Sequence, residues 1–256
     1  MMHYSKILRV YILIFFAITL TENSLYCQEI TSRSSDQYWF QVYEQCKLSE
    51  KWVLLADGGI RMKDQFNHRS STLFRTGIQY KMKYNLSLAV GAAYFSQFSN
   101  NKNHEDWISV EEWRGWQELL FEQQISWVKL SHRFRMEQRY FNNLNSTNDN
   151  FNHRARYRLN AIIPLNNKEL IARTIFLNLA NEVFLNYGKE IKNNFFDQNR
   201  IIGGVGIKLN NSLTFNFNYV YSYAKKNVPT TFLKTNVFWF SVTHQFHLNK
   251  KRELSK

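Results

Sequence analysis

The sequence predicts an all-β fold: a single antiparallel transmembrane β-barrel of about 10–12 strands, following a cleaved N-terminal signal peptide. Three observations predict it. The one sustained apolar run lies near the N-terminus and is too short for a comfortable helical span. After it, segment after segment alternates apolar and polar residues with a period of two. The connections between those segments read as alternately short and long, with the long ones rich in Asn, Lys and Ser.

Composition sets the bounds. A chain of 256 residues fits one domain, because a single barrel can use that length. Apolar residues at 44% and aromatics at 16% supply enough surface to bury, which excludes the disordered class. The net charge of +13 raises nucleic acid as a partner, but Lys and Arg are spread along the chain with no compact DNA- or RNA-binding motif. A membrane surface with anionic headgroups suits a basic protein equally well, so lipid is expected and nucleic acid is not.

The N-terminus has the order of an export signal. Lys6 and Arg9 form a positive n-region, Val10 to Leu20 an apolar core interrupted by Thr19, and Thr21 to Ser24 a polar stretch. Cleavage is placed after Cys27, leaving Gln28 as the first mature residue. The alternative, lipidation of Cys27, is disfavoured by the bulky Tyr26 directly before it. With Cys27 removed, Cys46 is left alone and no internal disulfide can hold the fold. The expected organisation is a signal peptide at 1–27, a barrel at 28–247 and a basic tail at 248–256.

The strands are read in order at 37–47, 52–63, 71–81, 85–97, 112–125, 127–141, 151–163, 169–187, 195–209, 212–224 and 234–247. In the second, Trp52, Leu54, Ala56, Gly58, Ile60 and Met62 share a face, with Asp57, Gly59, Arg61 and Lys63 opposite. In the fourth, Leu86, Leu88, Val90, Ala92 and Tyr94 oppose the small residues Ser87, Ala89, Gly91 and Ala93. In the tenth, Leu213, Phe215, Phe217, Tyr219, Tyr221 and Tyr223 alternate with Thr214, Asn216, Asn218 and Ser222. Short connections are expected at 48–51, 82–84, 126, 164–168 and 210–211, and long ones at 64–70, 98–111, 142–150, 188–194 and 225–233. Pro164 and Pro229 both fall in connections, where a missing N–H is harmless. Eleven segments sit badly with the even counts of single-chain bacterial barrels. A further short strand near Glu29–Arg33 would make twelve, and removing one segment from the wall would make ten.

Alternation alone does not say which face is outside; the charged face does. By parity, Arg114, Glu118 and Glu122 share a face of one strand, Arg133, Arg135, Glu137 and Arg139 of the next, and Arg154, Arg156 and Arg158 of the third, with Glu182 and Arg200 on the strands after. Strands lie about 4.8 Å apart, so these side chains form a belt. Combined with an export signal and Tyr- and Phe-rich apolar faces, the belt is expected to line a lumen. Trp52, Trp127, Tyr140, Tyr223 and Trp239 are candidates for interfacial girdles. The last strand ends on an aromatic, Phe246, similar to the C-terminal signal read by the outer-membrane assembly machinery, although a basic tail continues past it.

The strand Ser131-His132-Arg133-Phe134-Arg135-Met136-Glu137-Gln138-Arg139 resembles the most distinctive motif of the family called domain of unknown function 2490. Trp52 with Arg61 in an early hairpin, Glu112-Trp113-Arg114 with Trp116-Gln117, Arg154-x-Arg156, Glu182-x-Phe184-x-Asn186 and Gln198-Asn199-Arg200 are similar to it in order and spacing. The resemblance covers nearly all of the mature chain. It implies an outer-membrane barrel of Gram-negative bacteria and brings no activity, cofactor or catalytic residue.

The residues themselves offer little chemistry. A Ser–His pair must share a face for the imidazole to take the hydroxyl proton; Ser131 and His132 are adjacent and point oppositely. His244 and His247 are three apart on a strand and make a poor metal site. No glycine-rich phosphate loop or Cys cluster occurs, so no catalytic, cofactor or metal residues are assigned. The expected function is a narrow pore or a structural component of the outer membrane with an Arg/Glu-lined lumen. Its expected partners are outer-membrane lipid, lipopolysaccharide, the assembly machinery and, if the lumen is open, small anions. The alternatives are a lipid or lipopolysaccharide hydrolase, and an adhesion or receptor barrel acting through its loops.

Overall fold

The computed structural model describes residues 31–100, 106–144, 150–188, 195–225 and 231–248. The expected signal peptide, Pro229 and the tail beyond Leu248 lie outside the described residues. Eleven strands follow one another: β1 (Thr31–Lys47), β2 (Trp52–Lys63), β3 (His68–Lys81), β4 (Leu86–Asn100), β5 (Asp106–Ile125), β6 (Val128–Asn143), β7 (Asn150–Pro164), β8 (Thr174–Tyr187), β9 (Phe196–Lys208), β10 (Leu213–Lys225) and β11 (Thr231–His247). No helix occurs among the described residues. Each strand pairs with the next in antiparallel fashion, and β1 with β11 closes the barrel.

The described residues close a barrel of eleven strands, neither ten nor twelve, and the closure explains how an odd number works. In an up-and-down barrel of odd count the first and last strands run the same way, so they can meet only in parallel. They do, from Thr31 opposite Thr231 to Lys47 opposite His247. Parallel pairing is slightly weaker per residue than antiparallel, and like side chains stacked along the seam offset this. Tyr38 stacks on Phe238 and Phe40 on Phe240, each with centroids 5.5 Å apart, while Trp39 meets Trp239 edge-on. Aromatic pairs of this kind contribute about 0.5–1.5 kcal/mol each beyond their burial. Gln245 donates to Gln45 Oε1 at 2.7 Å, and Asn236 to Asp36 Oδ1 at 2.9 Å. Of the segment Glu29–Arg33, the part that is described, from Thr31, opens β1.

The contrast between short and long connections largely disappears. Backbone pairing carries β4 and β5 into the expected loop 98–111, with Phe98 opposite Ile108 and Asn100 opposite Asp106 after a bulge at Gln97/Phe98. β3 likewise begins at His68, and β11 at Thr231. Polar composition at a barrel mouth marks the solvated end of a strand as readily as a loop, because the main chain can pair whatever the side chains do. On the other side, 169–173 is not strand: 165–173 is a turn in which the amide of Asn166 caps the backbone, accepting from Ile175 N at 2.8 Å. Pro164 is the last residue of β7 rather than part of the connection.

The faces are inverted relative to a water-soluble barrel. Phe74, Leu88, Val90, Trp113, Phe134, Met136, Ile201 and Val205 are exposed on the outside, and the polar partners in the alternation point in. Two small apolar clusters sit inside, one of Trp39, Ala180, Ile202, Val220 and Val237, the other of Leu73, Ala89, Ala93, Phe95 and Trp116. Gly77 and Gly91 face each other across β3 and β4 and make room for the Trp116 ring; a Cβ on Gly77 would lie 2.5 Å from it. Trp239, expected in an outer girdle, packs instead against the first interior cluster. Trp52, Trp127 and Tyr140 are exposed.

Candidate functional site

Strands β6 and β7 carry charged residues at every second position (Arg133, Arg135, Glu137 and Arg139; Arg154, Arg156 and Arg158), and the pleat sends them to the same face as Glu112, Arg114 and Glu118 of β5 and Glu182 of β8. The register then creates a conflict. Arg114 lies opposite Arg139, Arg135 opposite Arg156, and Arg133 opposite Arg158. Like charges directly across a ladder repel. The repulsion is resolved by carboxylates that each take two guanidiniums.

Glu112 accepts from Arg114 Nε and Arg139 Nε, both at 2.5 Å. Glu118 accepts from Arg135 Nε at 2.7 Å and lies 3.6 Å from Arg133 Nε. Glu137 accepts from Arg154 Nη2 at 2.6 Å and, through its other oxygen, from Arg156 Nη1 at 2.6 Å. Glu182 accepts from Arg133 Nη2 at 2.6 Å and Arg156 Nη2 at 2.7 Å. Arg154 also reaches Asp197 at 3.2 Å. The result is a chain of shared charges running across five neighbouring strands, with Glu112, Glu137 and Glu182 no more than 2% exposed. Aromatic rings cover the guanidinium faces: Arg114 lies 3.6 Å over Phe95, Arg135 4.5 Å over Trp116 and Arg156 4.6 Å over Phe184.

Of the residues read from the sequence as a belt, Arg114, Glu118, Arg133, Arg135, Glu137, Arg139, Arg154, Arg156, Arg158, Glu182 and Arg200 all lie in the interior. Glu122 shares their parity but lies three positions from the end of β5, outside the buried network, and pairs with Lys129 at 2.8 Å, both side chains partly exposed. The belt also extends further than the charge-rich strands suggested. Asp57 on β2 takes Arg75 on β3 in a two-oxygen grip, with both contacts from Nε at 2.9 Å. Arg61, Glu112 and Asp197 complete the set. Parity could have found Glu112, which shares the face of Arg114, and Arg61 and Asp57, which lie on the polar face of the second segment. Arg75 is an isolated charge in its segment and gave no signal.

Among the described residues, ten interior arginines thus stand against six carboxylates: Asp57, Glu112, Glu118, Glu137, Glu182 and Asp197. They surround a chamber of about 440 Å³. Its wall opposite the paired belt is formed by Trp39, Gln41 and Tyr43 of β1 with Trp239 of β11.

The outer face carries a few polar groups, and these satisfy one another. Gln117 and Gln138 exchange amide hydrogen bonds at 3.1 and 3.0 Å, and Asn181 and Asn199 at 3.1 and 3.3 Å. His132 Nδ1 lies 2.9 Å from Tyr157 Oη, and its Nε2 lies 3.1 Å from Gln123. Ser131 occupies the opposite parity, on the side of Arg133, so the adjacent Ser and His do not form a nucleophilic pair. His244 is engaged by Glu44 at 2.8 Å across the seam.

A family model described as protein of unknown function (DUF2490) matches residues 36–232, from early in β1 to the start of β11, and so takes in the whole charged network. No curated protein matches the chain.

Proposed function

The chain belongs to the DUF2490 family of proteins of unknown function, and from that premise we propose that it is an outer-membrane β-barrel whose lumen is a narrow, anion-preferring passage. The observation that carries the reading is the inversion of its faces. Large apolar side chains lie exposed around the outside while buried Arg–Glu pairs fill the inside. In water this arrangement loses twice, since apolar surface stays wet and charges are desolvated; in a bilayer both faces meet the solvent they suit. Strand length supports it. The shortest strand has 12 residues and the longest 20, against the roughly 9–11 a tilted strand needs to cross. The outward amide pairs fit too, because a polar group facing lipid must find its partner on the protein.

Passage is narrow because eleven strands leave little width and the arginines occupy it. Preference for anions follows from the excess of guanidinium over carboxylate. Planar-bilayer recordings of the folded protein test this. Small steps with anion-selective reversal potentials are expected, with the preference lost when Arg133, Arg135 and Arg156 are neutralised together. Selectivity unchanged by that triple replacement would remove the pore reading. A second reading, a closed structural barrel, is favoured by the near-zero exposure of Glu112 and Glu182. Silence from protein shown to be folded would select it.

A further inference from the structure

The chamber is not evenly lined. Around it, most arginines share a carboxylate, but Arg61, Arg158 and Arg200 have none within 4.0 Å among the described residues. Arg158 and Arg200 donate only to neutral amides, Asn160 and Gln198, each at 3.2 Å. Arg61 and Arg200, from β2 and β9, converge on one indole, lying 4.1 and 5.0 Å from the Trp39 ring centroid. The Nε of each of these three arginines is buried and without a hydrogen-bond partner.

The same chamber collects two further unpartnered groups on residues that are themselves almost fully buried: Trp116 Nε1, on a side chain 4% exposed, and Ser71 Oγ, at 5%. Trp239 Nε1 is unpartnered there as well. Buried polar groups are normally satisfied, and each exception calls for an explanation. These unpartnered groups, set around the chamber on β2, β3, β5, β7, β9 and β11, are nearly all N–H donors. Glu182 lies between Arg158 and Arg200 in the ladder but is held by Arg133 and Arg156, and Arg61 and Arg200 meet over Trp39 with no carboxylate in ion-pair contact. What such a site lacks is an acceptor-rich anion.

We propose that the Trp39–Arg61–Arg200 side of the chamber binds a small solute through its phosphate group. The guanidinium fork matches pairs of oxygens on one centre, which a chloride ion does not offer. The chamber, at about 440 Å³, is larger than one inorganic ion and fits a small phosphorylated compound. The inference rests on the charged-lumen reading above but not on conduction: an occluded barrel could hold the same ligand.

Calorimetric titration of the detergent-folded protein with inorganic phosphate and with pyrophosphate, at matched ionic strength against chloride, tests it. Saturable heat is expected with the phosphates and none with chloride. Arg61→Gln and Arg200→Gln should each weaken pyrophosphate binding by tenfold or more, and the double variant should abolish it. Lys129→Gln, in the exposed rim pair, should bind as the parent does. If a glutamine variant does not fold, Arg61→Lys and Arg200→Lys keep the charge without the fork and should lower affinity measurably. Absence of saturable phosphate binding by the folded parent, or undiminished binding by folded variants at both positions, overturns the site. Conductance silence with intact binding would remove the pore reading alone.

Discussion

Replacing Glu137 by Gln is the sharpest test of what the interior network contributes. Glu137 is 2% exposed and accepts from Arg154 Nε at 2.8 Å, Arg154 Nη2 at 2.6 Å and Arg156 Nη1 at 2.6 Å, with Arg114 Nη1 at 3.8 Å. Glutamine keeps the shape but removes the charge and turns one acceptor into a donor facing a guanidinium. Removing one partner of a buried pair costs roughly 3–5 kcal/mol, because the other charge stays buried. Both arginines retain a second carboxylate, Asp197 for Arg154 and Glu182 for Arg156, so the lower end, about 3 kcal/mol, is expected by the same reasoning. With urea slopes of about 1–3 kcal/mol/M, the unfolding midpoint falls by on the order of 1–3 M. Urea titration of the detergent- or lipid-folded barrel reads this directly. The double variant Glu137→Gln with Arg154→Gln should recover part of the loss, since no uncompensated charge is left between them. A cost for E137Q within about 1 kcal/mol, the range of an exposed pair, would refute the view that these charges form the packed centre of the barrel.

Gly91→Ala would press a Cβ against both the Thr76 carbonyl of the neighbouring strand and the Trp116 ring and should weaken the fold by at least about 1–3 kcal/mol, as overpacking does, seen as a shift in tryptophan emission together with a lower midpoint; Gly115→Ala, whose Cβ meets only the Gln138 side chain, should have little effect. Truncating Phe238 and Phe240 together to Ala removes two stacked seam pairs and should cost about 1–3 kcal/mol from ring pairing alone, measured as faster loss of the folded, heat-modifiable band on gels. Glu122→Gln should leave stability within about 0.5 kcal/mol in the same urea assay, since its pair with Lys129 is exposed. Reconstitution into vesicles tests the membrane reading itself: the strands should resist added protease, and a chain that folds to the same β-sheet content in plain buffer would contradict it.

Much of this was legible residue by residue. A period of two fixes which side chains share a face, so Leu54 with Ile60, or Arg133 with Arg135, could be assigned without coordinates. Strand ends were less legible. Asn100 and Asp106 look like loop residues, but their main chains pair across the mouth. The seam carries a signal that period-two alternation does not contain: Tyr38-Trp39-Phe40-Gln41-Val42 is nearly repeated at Phe238-Trp239-Phe240-Ser241-Val242. These segments lie side by side in parallel register, which is also why Trp239 turns inward beside Trp39 rather than outward to a girdle.

By itself the sequence determined the strand faces and the charge each face carries, because alternation is a local property of an extended chain. Only the tertiary structure decided which charges meet. Arg75 finds Asp57 across the β2–β3 hairpin, and Arg133 reaches Glu182 two strands away, because strand register brings them together. Arg61 and Arg200, from opposite ends of the sequence, share the Trp39 ring because the first and last strands join. That pairing is a matter of distances between strands, which a one-dimensional pattern does not contain, and it separates the arginines that have a carboxylate from those left to bind something else.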